Sequence, residues 1–266
     1  MAAPVVMVKL GGSLITDKSR AGVARPTVIR RLAREIAALR GGNRRPRIIV
    51  GHGSGSFGHV AAARNGLSAR GAGRPEGIAH TQHRAAELHA IVVEALDRAG
   101  AQPFSLAPSS FMICRGGRIA KLFADPLFHA LELGLVPVVY GDVVLDRTRG
   151  AVVVSTEDVF VALAQEAARR RIPIARAVWM GATDGVYAAG GGTIPRLDAG
   201  SAARRASGVS QTAGVDVTGG MALRLRRAAV LARRKVPSLI VDGRRAGALA
   251  GAVAGRGRGG TRVEIG

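Results

Sequence analysis

The first residues suited to chemistry lie in the segment KLGGSLITDK, which begins at Lys9 and ends at Lys18. It overlaps the end of a short apolar run that begins at Val5. Paired glycines at the carboxyl end of a strand let backbone N–H groups approach an anion without interference from Cβ atoms. Only four of the 39 basic residues are lysines, and two of them occupy the ends of this segment. A compact ammonium group suits a phosphate, so we expect a phosphate site here rather than a tight turn with two solvated lysines.

A second glycine-rich segment, GHGSGSFGH from Gly51 to His59, follows the apolar run that ends at Val50. Two such loops after consecutive strands would line the same edge of a parallel sheet, where open α/β sheets bind their ligands. His59 adds a hydrogen-bond donor that can carry a positive charge near neutral pH. We therefore expect His59 to bind a phosphate oxygen, whereas His52 is expected to be a packed or solvated neighbour.

The third candidate segment, DVTGGMALR from Asp216 to Arg224, leads into an arginine-rich helix predicted to end near Lys235. Thr218 is expected to cap this helix, and the glycines at its exposed N-terminus would make an anion site. Arg224 lies one turn inside the helix, within reach of a bound phosphate. An ordinary capped surface helix is the alternative.

The elements that would position these segments follow from the alternation of short β-branched runs with longer amphipathic ones, which is typical of βαβ units. It predicts an α/β fold, a three-layer αβα sandwich around a mainly parallel open sheet. Strands are predicted at Val5 to Leu10, Arg47 to Gly51, Pro103 to Ala107, Val136 to Tyr140, Ile174 to Met180, Ser238 to Val241 and Thr261 to Ile265. Two β-branched runs around DRTRG predict a small β-hairpin near residues 143–155.

Two helices are predicted between the strands, from Pro26 to about Leu39 and from about Glu76 to Ala99. Apolar residues recur at helical spacing on the second helix and define a buried face: Ile78, Ala85, Leu88, Val92 and Leu96. A boundary between two lobes is expected near Arg171 to Pro173. It would separate an acceptor lobe with the phosphate loops, residues 1–172, from a nucleotide-binding lobe, residues 173–266, and the lobes are expected to share one sheet.

The composition bounds the possible functions. Hydrophobic residues make up 47% of the 266 residues and aromatics only 3%, so the core must be built from aliphatic side chains. A single cysteine, Cys114, excludes an internal disulfide and a multi-thiolate metal site, which favours a reducing compartment. With neither a leader pattern nor an apolar run of about 20 residues, a cytoplasmic protein without a membrane span is expected.

The formal net charge of +21 raises nucleic-acid binding as an alternative function. However, the arginines are scattered over presumed outer helix faces, and no aromatic residues interleave with them to stack bases. We therefore expect general attraction of anionic ligands and no specific nucleic-acid partner.

Together, the three glycine-rich segments resemble the amino-acid-kinase superfamily. The start KLGGS is shared by the wider superfamily, whereas GSFGH ending at His59 resembles its isopentenyl phosphate kinase family. The resemblance spans nearly the whole chain and implies transfer of the γ-phosphoryl group of ATP, with Mg²⁺, to isopentenyl phosphate, giving isopentenyl diphosphate. It also implies a homodimer.

The resemblance implies site residues position by position, with Lys9, Lys18 and His59 as the catalytic set and no metal-ligating side chain. Those implied for ATP are Lys9, Leu10, Gly11, Gly12, Ser13, Gly55, Asp184, Tyr187, Gly219, Gly220 and Arg224. Those implied for the acceptor phosphate are Gly53, Ser54, His59 and Thr156. The second helix would wall the acceptor's hydrocarbon tail, with Ile78, Gln82 and Ala85 nearest the loop.

Several positions depart from the family pattern. Arg224 stands where lysine is usual, Ala182 where an aspartate normally precedes Asp184, Ser54 where glycine is usual, and STE from Ser155 to Glu157 replaces SGD. Three alternatives therefore stay open: a kinase of the same fold acting on UMP, fosfomycin or a carboxylate such as acetylglutamate, a non-catalytic sensor, and an arginine-rich nucleic-acid binder.

Overall fold

The computed structural model of the chain describes residues 3–41, 46–68, 71, 73–208, 220–256 and 259–266. Thr218 and Gly219, which the sequence predicts to begin the third anion site, lie outside the described residues. The strands are β1 (Val5–Leu10), β2 (Arg47–His52), β3 (Pro103–Ser105), β4 (Met112–Arg115), β5 (Arg118–Leu122), β6 (Val136–Tyr140), β7 (Asp142–Asp146), β8 (Gly150–Val154), β9 (Ile174–Gly181), β10 (Arg196–Asp198), β11 (Ser238–Asp242) and β12 (Thr261–Glu264). The helices are α1 (Gly12–Ile15), α2 (Pro26–Ala38), α3 (Gly55–Arg64), α4 (Pro75–Arg98), α5 (Pro108–Phe111), α6 (Asp125–Glu132), α7 (Thr156–Arg169), α8 (Ala199–Gly208), α9 (Gly220–Arg233) and α10 (Ala248–Val253).

The main sheet has the strand order β10-β12-β11-β9-β1-β2-β6-β3 across the described residues. Strand β1 lies near its centre and pairs in parallel with both β2 and β9. Only the β11–β12 pairing is antiparallel among the described pairs of this sheet. Parallel strands end at one edge, so the segments after β1, β2 and β9 must come together there.

Helices cover both faces of the main sheet. Alternate residues of the central strands pack on one side against α2, α4 and α10. The opposite residues pack against α6, α7, α8 and α9, around the fully buried Trp179 and Phe160. Burial on both faces explains why β1 and β6 read as continuous apolar runs rather than alternating ones. The predicted three-layer sandwich is therefore confirmed.

The hairpin predicted near residues 143–155 exists as β7 and β8. It is larger than predicted, because β4 and β5 extend it into a separate sheet with the order β5-β4-β7-β8. The sequence pattern predicts no strand at Met112–Arg115 or Arg118–Leu122. The tip of β7 also orders the neighbouring turn, since the Asp146 carboxylate accepts hydrogen bonds from the backbone N–H groups of Gly116 and Gly117.

The structure corrects several further expectations. The segment ending at His59 is a loop only as far as Ser54, and α3 begins at Gly55, so His59 lies on a helix. On α4, Ile78 is only half-buried, whereas the other four residues of the predicted face are buried. The predicted strand at Pro103 ends at Ser105, before Ala107, because the chain turns there into α5. The last strand likewise ends at Glu264, and Ile265 is exposed.

Candidate active site

The two glycine loops that follow β1 and β2 are in direct backbone contact. A Cβ atom on Gly12 would lie 2.8 Å from both Cα and N of Gly55, and one on Gly53 would lie 3.0 Å from N of Gly12. The N–H group of Gly53 donates to the carbonyl of Leu10 over 3.1 Å. No side chain fits between these loops, so two phosphates bound to them would be neighbours.

The first loop also touches the end of β9. The N–H group of Gly11 donates to the carbonyl of Met180 over 2.8 Å, and a Cβ on Gly11 would lie 2.8 Å from the same oxygen. Gly12 then begins the one-turn helix α1, in which Ser13 is half-buried. Residues 10–13 therefore lie between the carboxyl end of β2, which leads to the second loop, and the carboxyl end of β9, which leads to Asp184.

Helices α3, α7 and α9 begin at this edge of the sheet. Helix α3 starts at Gly55, directly after the carboxyl end of β2. Helices α7 and α9 lead into the parallel strands β9 and β11. The C-terminus of each helix lies near the start of its strand, so its N-terminus lies at the carboxyl edge of the sheet. Ser155 caps α7 by accepting a hydrogen bond from the N–H group of Asp158 over 3.1 Å. Helix α9 begins at Gly220. Helix N-termini attract anions, so this edge favours phosphate.

A buried ion pair lies at the centre of the edge. Lys9, on β1, donates to the carboxylate of Glu157, in the first turn of α7, and both residues are almost fully buried. Arg224 also lies there, because its Nη1 would be 3.1 Å from a Cβ on Gly181. Burial lowers the pKa of Lys9, and Glu157 opposes that shift. Burial would raise the pKa of Glu157, but Lys9 and Arg224 outweigh it and hold that pKa below its ordinary value.

Glutamine in place of Glu157 is expected to lower the free energy of unfolding by about 3–5 kcal/mol, because the buried ammonium group of Lys9 would lose its carboxylate. Denaturant unfolding at pH 7 measures the change, with Glu157→Asp as the control that keeps the charge. The depressed pKa means that this stabilisation is present above the ordinary glutamate pKa and is lost as the pH falls through the lower folded value. A loss below about 1 kcal/mol would assign the pair no structural role.

Lys18 lies on a short turn that is attached to the first turn of α3. The turn is closed by a bridge between Thr16 and Ala24, and the N–H group of Gly22 donates to the carbonyl of Ser56 over 3.2 Å. The hydroxyl of Thr16 in turn accepts from the N–H group of Ser56 over 3.1 Å. The exposed Lys18 is therefore held beside the start of α3.

His59 lies in the second turn of α3, and its side chain is accessible to solvent. Desolvation by the surrounding protein, followed by the charge of Lys9, lowers the pKa of His59 below its ordinary value. This shift favours the neutral ring in the free protein, and a bound phosphate would raise the pKa again. Because α3 begins at this edge of the sheet, His59 in its second turn stays near the glycine loops.

Ser54 is the last residue of the second loop, and Thr156 lies against the end of β2. Ser54 is buried, and a Cβ on Gly58 would lie only 2.5 Å from the Cβ of Ser54, which explains a glycine at that helical position. The hydroxyl of Thr156 donates to the carbonyl of His52 over 2.6 Å. Thr156 therefore fixes the end of β2 from the N-terminus of α7.

A small apolar cluster lies beyond α3. Its members come from α3, the loop after α3, α4 and the β7–β8 hairpin: Ala62, Leu67, Ile78, Val143, Ala151 and Val153. Ala85 lies nearer the loop, with its Cβ 3.5 Å from the position of a Cβ on Gly58. Gln82 is half-buried on the same helix.

Asp184 and Tyr187 form a separate closed turn after β9. The Tyr187 hydroxyl donates to one carboxylate oxygen of Asp184, and the Thr193 hydroxyl donates to the other over 3.1 Å. Two buried hydroxyls near the edge, those of Ser56 and Thr183, find no hydrogen-bond partner within the described part of the chain. Buried hydroxyls of this kind fit the oxygens of a polyphosphate, since polar groups are rarely buried unsatisfied.

In the sequence, Glu157 stands out only as a departure from the family pattern, and nothing there indicates that it pairs with Lys9. The two residues are 148 positions apart. The only local signal was the capping pattern from Ser155 to Asp158, which places Glu157 in the first turn of a helix. Ser56, Thr16 and Thr183 carried no distinguishing signal.

The model of the amino acid kinase family matches residues 4–242 of the chain. The isopentenyl phosphate kinase of Methanothermobacter thermautotrophicus is 30% identical over 270 residues, covering 97% of this chain and 98% of the relative. That of Haloferax volcanii is 32% identical over 224 residues, covering 84% and 86%. A solved isopentenyl phosphate kinase superposes with a TM-score of 0.79 at 27% identity, over 97% of this chain and 99% of that one.

The chain belongs to the amino acid kinase family. Within that family, these curated relatives and this solved structure are all isopentenyl phosphate kinases. The resemblance stated from the sequence is therefore confirmed.

Proposed function

We propose that the protein transfers the γ-phosphoryl group of ATP to isopentenyl phosphate, giving isopentenyl diphosphate. The observation that carries the proposal is the backbone contact between the two glycine loops, which would place two phosphates side by side. The similarity to isopentenyl phosphate kinases supports the choice of acceptor. The apolar cluster around Ile78 suits a short hydrocarbon tail.

The chemistry needs little from the protein beyond positioning and charge. A phosphate monoester has a second pKa near 6, so at pH 7 its oxygen is already mostly anionic and attacks without a general base. The obstacle is repulsion between two polyanions. In the proposed site, Lys9, Lys18, His59 and the helix N-termini offset that repulsion in the transition state.

ATP would lie over residues 9–13 and Gly55, with its nucleoside toward Asp184, Tyr187 and the start of α9. Mg²⁺ would enter with the nucleotide, since it binds through substrate phosphates with few protein carboxylates and neutralises their charge. Among the described residues no group of three or more His, Cys, Asp or Glu side chains could hold a metal alone. Gly53, Ser54, His59 and Thr156 would surround the acceptor phosphate.

The remaining expectations form part of the same proposal. Residues 1–172 would serve the acceptor and residues 173–266 the nucleotide, on the one sheet in which β1 pairs with β9. A homodimer would cover the edge strand β3, where Phe104 is 37% exposed.

No helix among the described residues has the length and hydropathy to cross a membrane. A cytoplasmic location is part of the proposal.

Turnover of a panel of acceptors tests the proposal. With ATP and Mg²⁺, kcat/KM is expected to be highest for isopentenyl phosphate, followed by dimethylallyl phosphate, among a panel that includes UMP, fosfomycin and acetylglutamate. A coupled assay for ADP measures each rate. A higher kcat/KM for UMP or fosfomycin would reassign the acceptor, and nucleotide binding without turnover of any acceptor would indicate a sensor.

Duplex DNA is expected to bind only weakly and only at low salt, because the net charge of +21 is spread over dispersed arginines. Retention of a labelled duplex across a salt series measures this. Sub-micromolar affinity that persists at physiological salt would contradict the expectation and support the nucleic-acid binder.

A further inference from the structure

A chain of three hydrogen bonds runs from the second phosphate loop to the protein surface. His52 Nδ1 lies 3.2 Å from the carbonyl oxygen of Gly53, and His52 Nε2 lies 2.9 Å from His89 Nδ1. His89 Nε2 lies 2.8 Å from the hydroxyl of Ser105, on the edge strand β3. Both histidines are buried, and none of the proposed chemistry uses them.

The carbonyl of Gly53 fixes the direction of every bond in the chain. A carbonyl oxygen only accepts, so His52 Nδ1 must carry the proton. In a neutral ring Nε2 of His52 is then the acceptor, which requires His89 Nδ1 to donate. His89 Nε2 therefore accepts from the Ser105 hydroxyl. In this arrangement both nitrogens of each ring are hydrogen-bonded, and each ring has a single tautomer.

Packing and burial keep both rings in this state. The Tyr140 ring stacks on His89 with the centroids 4.2 Å apart and on His52 at 5.6 Å. Burial, followed by the charge of Lys9, lowers the pKa of His52 to about 4. Burial, followed by His52, lowers the pKa of His89 to about 3. Both rings are neutral at pH 7, so a second proton does not break the chain.

The other backbone groups of His52 and Gly53 are anchored as well. The carbonyl of His52 accepts from the N–H group of Gly141 over 3.0 Å and from the hydroxyl of Thr156. The N–H group of Gly53 donates to Leu10. The carbonyl of Gly53 is the remaining group, and the His52 ring binds it. Because the peptide is planar and trans, fixing this oxygen also fixes the opposite direction of the Ser54 N–H group.

We propose that His52 and His89 are positioning residues that hold the Gly53–Ser54 peptide in the orientation needed to bind the acceptor phosphate. The inference rests on the proposed function in taking this loop as the acceptor site. His52 acts directly on the peptide. His89 acts through His52, by holding its tautomer from α4. Neither residue touches the substrate or transfers a proton.

Two substitutions at His52 separate the hydrogen bond from the packing. Phenylalanine keeps the ring and its stacking on Tyr140 but removes the donor, and asparagine keeps an N–H group near the position of Nδ1. His52→Phe is expected to raise the KM for isopentenyl phosphate about tenfold, as for the loss of one hydrogen bond, with kcat and the KM for ATP changed less than twofold. His52→Asn should recover most of the affinity. His89→Phe should give a smaller rise, because the His52 ring can then exchange tautomers.

The matched control is His129→Phe, an exposed histidine on α6, which should behave as the wild type. An unchanged acceptor KM in His52→Phe, or equal losses in both KM values and kcat, would overturn the proposal. If His52→Phe does not fold, the comparison of His52→Asn with His89→Phe still tests the proposal. A positioning role predicts that His89→Phe raises the acceptor KM more than His52→Asn does, and the reverse order would overturn it. Turnover by the wild type tests the proposed function separately. If another phosphate monoester is the true acceptor, the ratios of variant to wild-type KM are measured with that acceptor.

Discussion

Alanine in place of Lys18 is expected to lower kcat by about 10²- to 10³-fold, the usual effect of removing one preorganised group that stabilises transition-state charge. Lys18 is held beside the start of α3 by the Thr16–Ala24 bridge and the Gly22–Ser56 hydrogen bond, yet its side chain is exposed in the free protein. In the proposed site, Lys18 would act on the charge that develops on the transferring phosphoryl group. The KM values for ATP and the acceptor should therefore change much less than kcat.

Steady-state kinetics with both substrates varied would measure the effect. Lys235→Ala is the matched control, because that exposed lysine follows α9 at the opposite edge of the sheet. A loss that appears only in the KM for ATP would assign Lys18 to ground-state binding of the nucleotide. An unchanged kcat/KM would remove it from the site.

Alanine in place of His59 is expected to raise the acceptor KM by about 10- to 100-fold, because it removes a donor whose positive charge would form on phosphate binding. His59→Gln keeps a donor without the charge and should retain part of the affinity. The KM for ATP should change little in both variants. Calorimetry in buffers of different ionisation enthalpy should show proton uptake on acceptor binding that is lost in His59→Gln.

The alternative role for His59 is that of a general base. Its lowered pKa would suit a base, but the acceptor oxygen is already anionic and offers no proton to remove. A base predicts that glutamine is as damaging as alanine and that kcat falls in both. Unchanged acceptor kinetics in both variants would place His59 outside the site.

Much of the fold could be predicted because the central strands are strongly patterned. Val5–Leu10 and Val136–Tyr140 begin and end where the sequence predicts, since each is a mainly apolar run that is buried on both faces. The glycine loops could be predicted as well, because paired glycines directly after an apolar strand indicate a tight loop at its carboxyl end. The roles of the individual site residues stay predictions.

Other elements depend on tertiary packing that local pattern does not show. Helix α3 begins with GSFG, and glycine weakens helix propensity, so its helical state depends on packing such as that of Gly58 against Ser54 and Ala85. Strands β4 and β5 are short, and only the glycine pair between them indicated a turn. Contacts such as Lys9 with Glu157 join distant parts of the chain and have no signature in a single sequence.

The contact between Gly12, Gly53 and Gly55 constrains how this protein could diversify. A Cβ on Gly12 or Gly53 would meet the backbone of the other loop, and one on Gly55 would meet Thr16. In the proposed site, a mutation that reshapes the acceptor's phosphate end would therefore also disturb the donor's. In the same proposal, variation that changes the acceptor would lie farther out, on α4 and the β7–β8 hairpin, where Ile78 and its neighbours pack. A library meant to broaden substrate range should leave Gly12, Gly53 and Gly55 unchanged and randomise positions on α4 and the β7–β8 hairpin.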